Sequence, residues 1–304
     1  MLPVFICLIA LILDRLFGEP KYHPLVFFGN SASWLERRLN NRESRINGAV
    51  SVLVVIGIPV GVVLYLQLLI SDVWLQSLFD IVVLYFVIGW QSMKQHALAI
   101  SDPLLSNDLD SARYHLSMIV SRETSQMNEP QIVGSTIESI LENGHDCVFA
   151  SLFWFLLLGP AGTLLHRLMN TLDAMWGYKN ERYRQFGYVS ARLDDLLGYL
   201  PARLTGLSYA LSGSCKNALA SWRKQMGQHK SPNAGLVMAS GAGALGIVIG
   251  GPAIYDGISQ DKPYLGAGTV AQAKDIQRSI TLVEKALIVW LGVSALCLLV
   301  LVNL

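Results

Sequence analysis

The sequence predicts an all-α, polytopic integral membrane protein whose cytoplasmic helical loops carry the functional site. Hydrophobic residues make up 52% of the 304-residue chain and charged residues only 15%, well below the roughly 25% of a typical soluble domain. Residues 48–70 contain no charged side chain and are long enough to cross a bilayer. We therefore expect a single membrane-embedded domain over residues 1–304, in contact with the lipid bilayer. The net charge of +1 predicts no nucleic-acid partner.

Apolar stretches predict four membrane spans, at about residues 2–17, 48–70, 73–93 and 286–304. The first is short for a full crossing and runs into Asp14 and Arg15 without a cleavage site, so it is not a cleavable signal peptide. Asp80, the one ionisable residue of the second long span, is either a functional intramembrane carboxylate or a residue within reach of the interface. Three further apolar stretches are predicted to be broken or re-entrant: about 147–168, which Gly159 and Pro160 interrupt, about 200–215 and about 234–254.

Basic residues set the predicted orientation. The segment Arg15–Asn47 carries six Lys and Arg residues against three Glu, and Lys94 follows the return span. Under the positive-inside rule both regions face the cytoplasm. The sequence thus predicts a multi-pass protein of the bacterial cytoplasmic (inner) membrane, with its active site on the cytoplasmic side.

The stretch Asn170–Asp195 concentrates charged residues in an otherwise apolar chain. Its first part is predicted to be a helix with Asn170 and Asp173 on one face, ending at Gly177. Residues 178–183, Y-K-N-E-R-Y, offer aromatic stacking faces and anion-binding donors. A second helix follows, with an apolar stripe of Leu193, Leu196, Leu197 and Leu200. The stretch is either a solvated surface or a substrate site, and its mixture of acidic, basic, amide and aromatic groups favours the substrate site.

Two carboxylates lie one turn apart on a predicted helix that begins with a capping box at Asn128 and Gln131. Glu138 and Glu142 repel each other at this spacing unless a cation lies between them. Carboxylate oxygens are ligands that suit Mg²⁺. Two interpretations stay open here: solvated glutamates on an exposed helix, or metal ligands.

Three glycines, Gly241, Gly243 and Gly246, spell G-x-G-x-x-G, the pattern of a dinucleotide site. The strand that should precede such a motif is not predicted, because S-P-N-A-G from Ser231 is typical of a turn. Small residues at every fourth position favour close helix packing instead: Ala242, Gly246 and Gly250.

Several motifs carry a family resemblance. They are N-T-L-D-A-M-W-G-Y-K-N-E-R-Y from Asn170, S-A-R-L-D-D from Ser190, P-A-R-L-T from Pro201, S-R-E-T from Ser121, E-S-I-L-E-N from Glu138 and S-P-N-A-G from Ser231. Together they resemble the signature of the adenosylcobinamide-phosphate synthase family (CobD/CbiB), membrane proteins of cobalamin biosynthesis. The chain departs from the family pattern at G-H-D-C from Gly144, where relatives have T-S-D-G, which puts a hydroxyl role there in doubt.

The resemblance implies an ATP-dependent amide-forming ligase that attaches (R)-1-aminopropan-2-ol or its O-phosphate to adenosylcobyric acid. The product would be adenosylcobinamide or its phosphate, in cobalamin biosynthesis or salvage, with ATP and Mg²⁺ as cofactors. The alternative is a related non-enzymatic membrane sensor or permease. The oligomeric state, a homo-oligomer included, is left open.

Residue chemistry and motif membership together assign the candidate site. The predicted catalytic residues are Asp173, Asp194 and Asp195. The predicted substrate-binding residues are Arg122, Tyr178, Lys179, Asn180, Glu181, Arg182, Tyr183, Arg192 and Asn233. The predicted metal ligands are Glu138, Glu142 and Asp146.

Overall fold

The computed structural model describes residues 1–40, 44–178, 180–255 and 257–302. These residues form two compact units, Met1–Gly89 with Asp146–Gly198, and Trp90–His145 with Tyr199–Leu304. The predicted all-α membrane fold is confirmed, because long helices account for most of both units.

The helices follow one another in chain order with short connections. They are α1 (Leu2–Phe17), α2 (Pro24–Leu39), α3 (Arg45–Leu69), α4 (Val73–Val87), α5 (Trp90–Leu105), α6 (Leu109–Ser117), α7 (Glu129–Asn143), α8 (Ala150–Trp176), α9 (Tyr188–Ser212), α10 (Cys215–Gln225), α11 (Pro232–Leu245) and α12 (Ala273–Val302). A π-helical segment, Gly144–Phe149, joins α7 to α8. Five short strands lie between α11 and α12: β1 (Ile247–Gly250), β2 (Ala253–Tyr255), β3 (Ile258–Gln260), β4 (Tyr264–Gly266) and β5 (Thr269–Val270).

Local sequence signals explain where several helices begin. Asp72 caps α4 by accepting hydrogen bonds from the backbone N–H groups of Trp74 and Leu75, at 3.0 and 2.8 Å. The capping box predicted at the start of α7 is present, with Asn128 and Gln131 each bonding the other's backbone N–H. These capped ends fix the register of the helices that carry the polar residues discussed below.

Four helical stretches of the described chain are long and apolar enough to cross a membrane: Arg45–Leu69, Val73–Leu105, Glu129–Trp176 and Ala273–Val300. Three of them contain the predicted span 73–93 and most of the predicted spans 48–70 and 286–304. The fourth contains the predicted segment 147–168. Residues 2–17 form α1, a single helix of 16 residues.

Helix α8 is broken near its middle. Gly159 has φ 66° and ψ −158°, a left-handed conformation that only glycine adopts readily, and Pro160 follows it. Proline has no N–H, so the carbonyl of Leu156 loses its usual helical donor four residues on. The predicted interruption at Gly159 and Pro160 therefore divides α8 into two half-helices.

The core of the first unit lies where α2, α3 and α8 meet. We call it the Trp176 cluster, and its buried members are Ala32, Val52, Val55, Ile56, Leu168, Met169, Leu172, Trp176 and Phe186. Two glycines allow the backbone to approach this cluster: a Cβ on Gly48 would collide with the carbonyl of Phe186, and one on Gly187 with that of Trp176. Helix α9 adds Leu193 and Leu197 to the edge of the cluster, which holds its acidic residues beside α8.

The strands correct the prediction for residues 234–254. Helix α11 ends at Leu245 because Gly246 takes a left-handed conformation (φ 71°). The chain then enters β1, which pairs antiparallel with β4 (Ile249 opposite Leu265) and parallel with β5. Strands β2 and β3 form a separate antiparallel pair. Gly250 thus lies in a strand, and Gly246 ends the helix, so neither continues the helical packing face predicted with Ala242.

The S-P-N-A-G sequence is also a helix start rather than a turn. Ser231 accepts a hydrogen bond from the Ala234 N–H (3.3 Å), and Pro232 occupies the first turn of α11. The motif therefore positions α11 by capping it.

Gly243 tests the packing interpretation of the G-x-G-x-x-G pattern. A Cβ at this position would lie 2.7 Å from both the Asn217 carbonyl oxygen and Ser221 Oγ on α10. We expect Gly243→Ala to lower the free energy of unfolding by about 1–3 kcal/mol, because the backbone of α10 has to move. Thermal unfolding in detergent measures this. Gly61→Ala is the control, since nothing lies within 4 Å of its Cβ position, and equal melting of the two variants would contradict close packing.

Candidate active site

Four aspartates of the first unit form what we call the acid cluster: Asp146, Asp173, Asp194 and Asp195. Asp146 lies in the π-helical segment, Asp173 three residues from the end of α8, and the adjacent pair in the second turn of α9. All four are partly buried. The cluster therefore joins the two halves of the Asn170–Asp195 stretch to a residue more than twenty positions upstream.

Asn170 is the centre of the acid cluster. Its side chain hydrogen-bonds both Asp146 and Asp194, and it shares the face of α8 with Asp173, as predicted. An amide between two carboxyl groups donates to both and so reduces their mutual repulsion. Asn170 is thus a site residue that the assignment from chemistry omitted, although its place in the N-T-L-D motif was a signal for it.

Asp194 differs from an ordinary surface aspartate in its proton affinity. Burial, and then the negative charges of Asp146, Asp173 and Asp195, raise the pKa of Asp194 to about 9, while the Asn170 hydrogen bond acts in the opposite direction. At neutral pH the Asp194 carboxyl is therefore protonated. A positive charge that enters the cluster lowers this pKa and favours the ionised carboxylate, which can then accept a proton.

The π-helical segment sets the direction in which Asp146 points. Its hydrogen bonds close five residues on instead of four, so residues after it leave the i, i+4 register of α7. Ser151 Oγ donates to the Asp146 carbonyl at 3.3 Å. Arg167 Nη1 lies 2.8 Å from Cys147 Sγ, which brings a guanidinium close to the Asp146 carboxylate.

The loop after α8 is held by a bidentate ion pair that the sequence did not predict. Arg182 Nε and Nη2 donate to the two carboxylate oxygens of Glu36 at 3.1 and 2.8 Å. Asn40 donates to Glu36 and to the Arg182 carbonyl, both at 2.9 Å. Burial alone would raise the pKa of Glu36, but the hydrogen bonds from Arg182 and Asn40 lower it below its usual value.

Other predicted residues of this loop have separate positions. Asn180 caps the turn by accepting from the Tyr183 N–H at 3.0 Å. Tyr178 and Tyr183 have ring centroids 6.5 Å apart, and Glu181 is exposed. Lys179 lies outside the described residues. The loop therefore presents two neighbouring aromatic rings.

Arg192 belongs to a cationic group on α9. Its guanidinium carbon lies 5.5 Å from the Tyr188 ring centroid, and that of Arg45 lies 4.3 Å from the same centroid. Arg45 is oriented by Gln185, whose Oε1 accepts from its Nε at 2.7 Å. Two guanidinium groups on one ring are suited to bind a phosphate.

The second unit holds the remaining predicted residues. Arg122 Nη2 lies 2.5 Å from Glu138 Oε2, with the two side chains 11% and 7% exposed, and Arg122 Nη1 donates to Ser135 Oγ at 3.0 Å. The Glu142 charge also acts on Arg122. Burial would lower the pKa of Arg122, but Glu138 and its other neighbours raise it above its usual value. Arg122 is thus the cation that offsets the two glutamates, and Glu138 is buried rather than solvated.

The predicted metal ligands are not grouped into one site. Among the described residues no three His, Cys, Asp or Glu side chains stand close enough to hold a metal ion. Asp146 belongs to the acid cluster, whereas Glu138 pairs with Arg122. Mg²⁺ bound by one or two of these carboxylates together with nucleotide phosphates stays a prediction.

Asn233 is buried at the start of α11 and contacts a residue of the P-A-R-L-T motif. Its Oδ1 accepts from Arg203 Nη1 at 3.0 Å, and the Arg203 guanidinium lies 3.4 Å from the Tyr199 ring centroid. His145 Nδ1 lies 3.1 Å from the hydroxyl of Thr205, in the same motif. His145, which departs from the family pattern, thus contacts the P-A-R-L-T motif.

Comparison with known proteins agrees with these motifs. The family model described as CobD/Cbib protein matches residues 7–283. The chain belongs to the CobD/CbiB family. It is 47% identical to the cobalamin biosynthesis protein CobD of Stutzerimonas stutzeri (strain A1501) over 294 residues, 95% of this chain and 96% of the relative. No solved structure is significantly similar to the chain.

Two further relatives show how far the similarity extends. The CobD protein of Chromobacterium violaceum is 44% identical over 295 residues, 94% of each chain. The cobalamin biosynthesis protein CbiB of Salmonella typhi is 35% identical over 308 residues, 95% of this chain and 96% of the relative. The protein is therefore a CobD/CbiB cobalamin biosynthesis protein with membrane-spanning character.

The Arg122–Glu138 pair gives a prediction for this CobD/CbiB protein. Glu138→Gln is expected to lower the free energy of unfolding by about 3–5 kcal/mol, because it leaves a buried guanidinium without its main partner. The double variant Arg122→Gln, Glu138→Gln should recover part of that loss. Unfolding in detergent, with Glu142→Gln as the matched control, tests this. A Glu138→Gln variant as stable as Glu142→Gln would show that the pair contributes little.

Proposed function

We propose that this CobD/CbiB protein is an ATP-dependent amide-forming ligase that joins (R)-1-aminopropan-2-ol, or its O-phosphate, to adenosylcobyric acid. The family supports a role in cobalamin biosynthesis, and the acid cluster in its signature stretch supports this chemistry. The amine substrate is an ammonium ion at neutral pH. The carboxyl groups of the acid cluster, two of which hydrogen-bond Asn170, favour binding of such a cation.

The observation that carries the proposal is the proton affinity of Asp194. An ordinary aspartate, with a pKa near 3.9, is far too weak a base for an alkylammonium group, whose pKa is near 10. Raising the pKa of Asp194 to about 9 nearly matches the two groups. The smaller difference between the two pKa values makes the Asp194 carboxylate a stronger base toward the ammonium group than an ordinary aspartate.

The steps assigned to the chain are binding, orientation and proton transfer. The negative charges of Asp146, Asp173 and Asp195 attract the ammonium group. Asp194 loses its own proton to water as this cation binds, and its carboxylate then accepts a proton from the ammonium group. The neutral amine nitrogen then attacks the activated corrinoid carbonyl carbon. A C–N bond forms, the bond from that carbon to the phosphate oxygen breaks, and inorganic phosphate leaves with the second proton that the nitrogen loses.

ATP with Mg²⁺ would supply the phosphoryl group that activates the corrinoid carboxyl. The side chains present suit a nucleotide: Arg45 and Arg192 share the Tyr188 ring on an exposed face, and both are donors that bind phosphate. Tyr178 and Tyr183 offer nearby rings to a base or a corrin face. Oxygen donors at Glu138 and Glu142 suit Mg²⁺ in kind.

Purified protein in lipid discs tests the proposed activity. We expect ATP consumption only when a corrinoid carboxylic acid and the amino alcohol are both present, with the amide product identified by mass spectrometry. ATP consumption that needs no amine, or transport of the corrinoid without ATP consumption, would contradict the ligase and favour the sensor or permease alternative.

The orientation of the site gives a separate prediction. Glu181 is exposed in the loop after α8, and the positive-inside rule places that loop in the cytoplasm. A Glu181→Cys variant in a background without other cysteines is expected to react with a membrane-impermeant maleimide in inside-out vesicles. Reaction only in right-side-out vesicles would place the loop on the opposite side.

A further inference from the structure

A cavity of about 310 Å³ lies in the first unit, between the N-terminal parts of α1 and α4 and the break in α8. This volume is at the lower end of the roughly 300–1,000 Å³ found for small-molecule sites. Its walls include Ile6 of α1, Phe155 and Leu156 of α8, and three polar residues of α4. The cavity is therefore apolar with one polar side.

The polar side consists of Gln76, Ser77 and Asp80, on consecutive turns of α4. The Oδ1 atom of Asp80 is buried and has no hydrogen-bond partner among the residues that the structure describes. A buried carboxylate oxygen without a donor is unfavourable by several kcal/mol in an apolar layer. The cavity thus contains a negatively charged acceptor that a ligand can satisfy.

The break in α8 adds acceptors at the same place. Gly159 lines the cavity, and Pro160 deprives the Leu156 carbonyl of its helical donor. The half-helix 150–158 ends here, and the C-terminal end of a helix carries a partial negative charge. Half-helix ends of this kind bind cations in membrane proteins.

These features select the ligand by charge and by shape. The Asp80 carboxylate and the helix end exclude an anion. One water molecule occupies about 30 Å³ in the liquid, so a cavity of this size is much larger than a bare metal ion needs. One side of the cavity consists of apolar side chains such as Ile6 and Phe155, whereas a metal ion requires oxygen ligands on all sides.

We propose that the cavity between α1, α4 and α8 is a binding site for a small primary ammonium ion with a short apolar body. The ammonium group donates to Asp80 and to the Leu156 carbonyl, and the carbon chain contacts Ile6 and Phe155. The amino alcohol of the proposed reaction belongs to this class, as does the ammonium headgroup of an aminophospholipid. The site is separate from the acid cluster, because Gly159 and Asp173 lie about 20 Å apart along α8.

The test uses the full-length protein in discs of phosphatidylcholine, which has no primary amine. Propylammonium chloride is titrated by calorimetry at constant ionic strength, with 1-propanol as the neutral analogue. The variants are Asp80→Asn, which removes the charge and keeps the shape, and Asp72→Asn, a matched control in the exposed cap of the same helix. A third variant, Asp194→Asn, reports on the acid cluster.

We expect saturable binding of propylammonium to the wild type and to Asp72→Asn, at least tenfold weaker binding to Asp80→Asn, and none of 1-propanol. Discs that contain phosphatidylethanolamine distinguish the two sources of the ammonium group. Weaker propylammonium binding in these discs would show that the lipid headgroup competes for the site. Unchanged binding would show that the site takes a free amine. Equal binding to Asp80→Asn overturns the proposal, as does full competition by sodium ions. Binding that Asp194→Asn abolishes and Asp80→Asn preserves would place the amine in the acid cluster instead, and leave the proposed ligase activity intact.

Discussion

Asp194→Asn is expected to lower turnover by on the order of 100-fold or more while raising the free energy of unfolding at neutral pH. Asparagine keeps the shape of the side chain but accepts no proton from the amine. It also removes a carboxyl group whose ionisation is opposed by burial and by three neighbouring aspartates. A loss of activity together with a gain of stability separates a catalytic carboxyl from one that holds the fold.

The same residue gives the stability of the protein a pH dependence of known sign. The pKa of Asp194 is about 9 in the folded protein and near 3.9 in the unfolded chain, so the folded state holds one more proton between these values. This contribution to the free energy of unfolding therefore falls as pH rises from about 4 to about 9, and Asp194→Asn should remove it.

Melting temperatures and turnover, measured across this pH range in the same detergent, check both effects. Asp110→Asn is the control, because its side chain is 93% exposed. A variant with normal turnover would show that Asp194 is not the base. A pH slope equal to that of the wild type would show that its carboxyl ionises normally in the folded protein.

Local sequence signals predicted the helices well. The end of α8 at Gly177 and the capping box of α7 depend on residues within a few positions of each other, and both are present. The strands after α11 were not predicted, since β1 is stabilised by pairing with β4 and β5, at residues 264–270. Glycines with positive φ, such as Gly246, look the same in sequence as glycines that pack helices closely.

Which residues form the active site stays a prediction, but the structure shows which of the predicted residues lie close together. Motif membership selected Asp173, Asp194 and Asp195, and the structure places them together. Asp146 was predicted as a metal ligand together with Glu138 and Glu142, from residue chemistry and motif membership. The π-helical segment turns Asp146 away from the i, i+4 register of α7 and toward Asn170.

Ion-pair partners distant in sequence were the other omission. Glu36 and Arg182 are 146 positions apart, and no local pattern links them. Arg122 was predicted to bind substrate from its residue chemistry and its place in the S-R-E-T motif, and the structure pairs it with Glu138. Such pairs depend on how helices pack, which residue chemistry does not specify.

Trp176→Ala is expected to lower the free energy of unfolding by about 3–5 kcal/mol without affecting turnover per folded molecule. Trp176 is 1% exposed and packs edge-to-face on Phe186, with ring centroids 5.0 Å apart. It lies three residues after Asp173 on α8, and its indole is buried among the apolar side chains of the Trp176 cluster. Truncation leaves a large cavity that the surrounding helices fill only in part.

Trp74→Ala is the matched control, because the same side chain is 78% exposed at the start of α4. Its free energy of unfolding should lie within about 0.5 kcal/mol of the wild-type value. Chemical unfolding, followed by activity normalised to the folded fraction, measures the difference between the two tryptophans. Equal stability of the two variants would mean that the Trp176 cluster does not hold α8 in place. A loss of turnover in fully folded Trp176→Ala would mean instead that the indole sets the position of Asp173, so that packing and chemistry in this stretch are not separable.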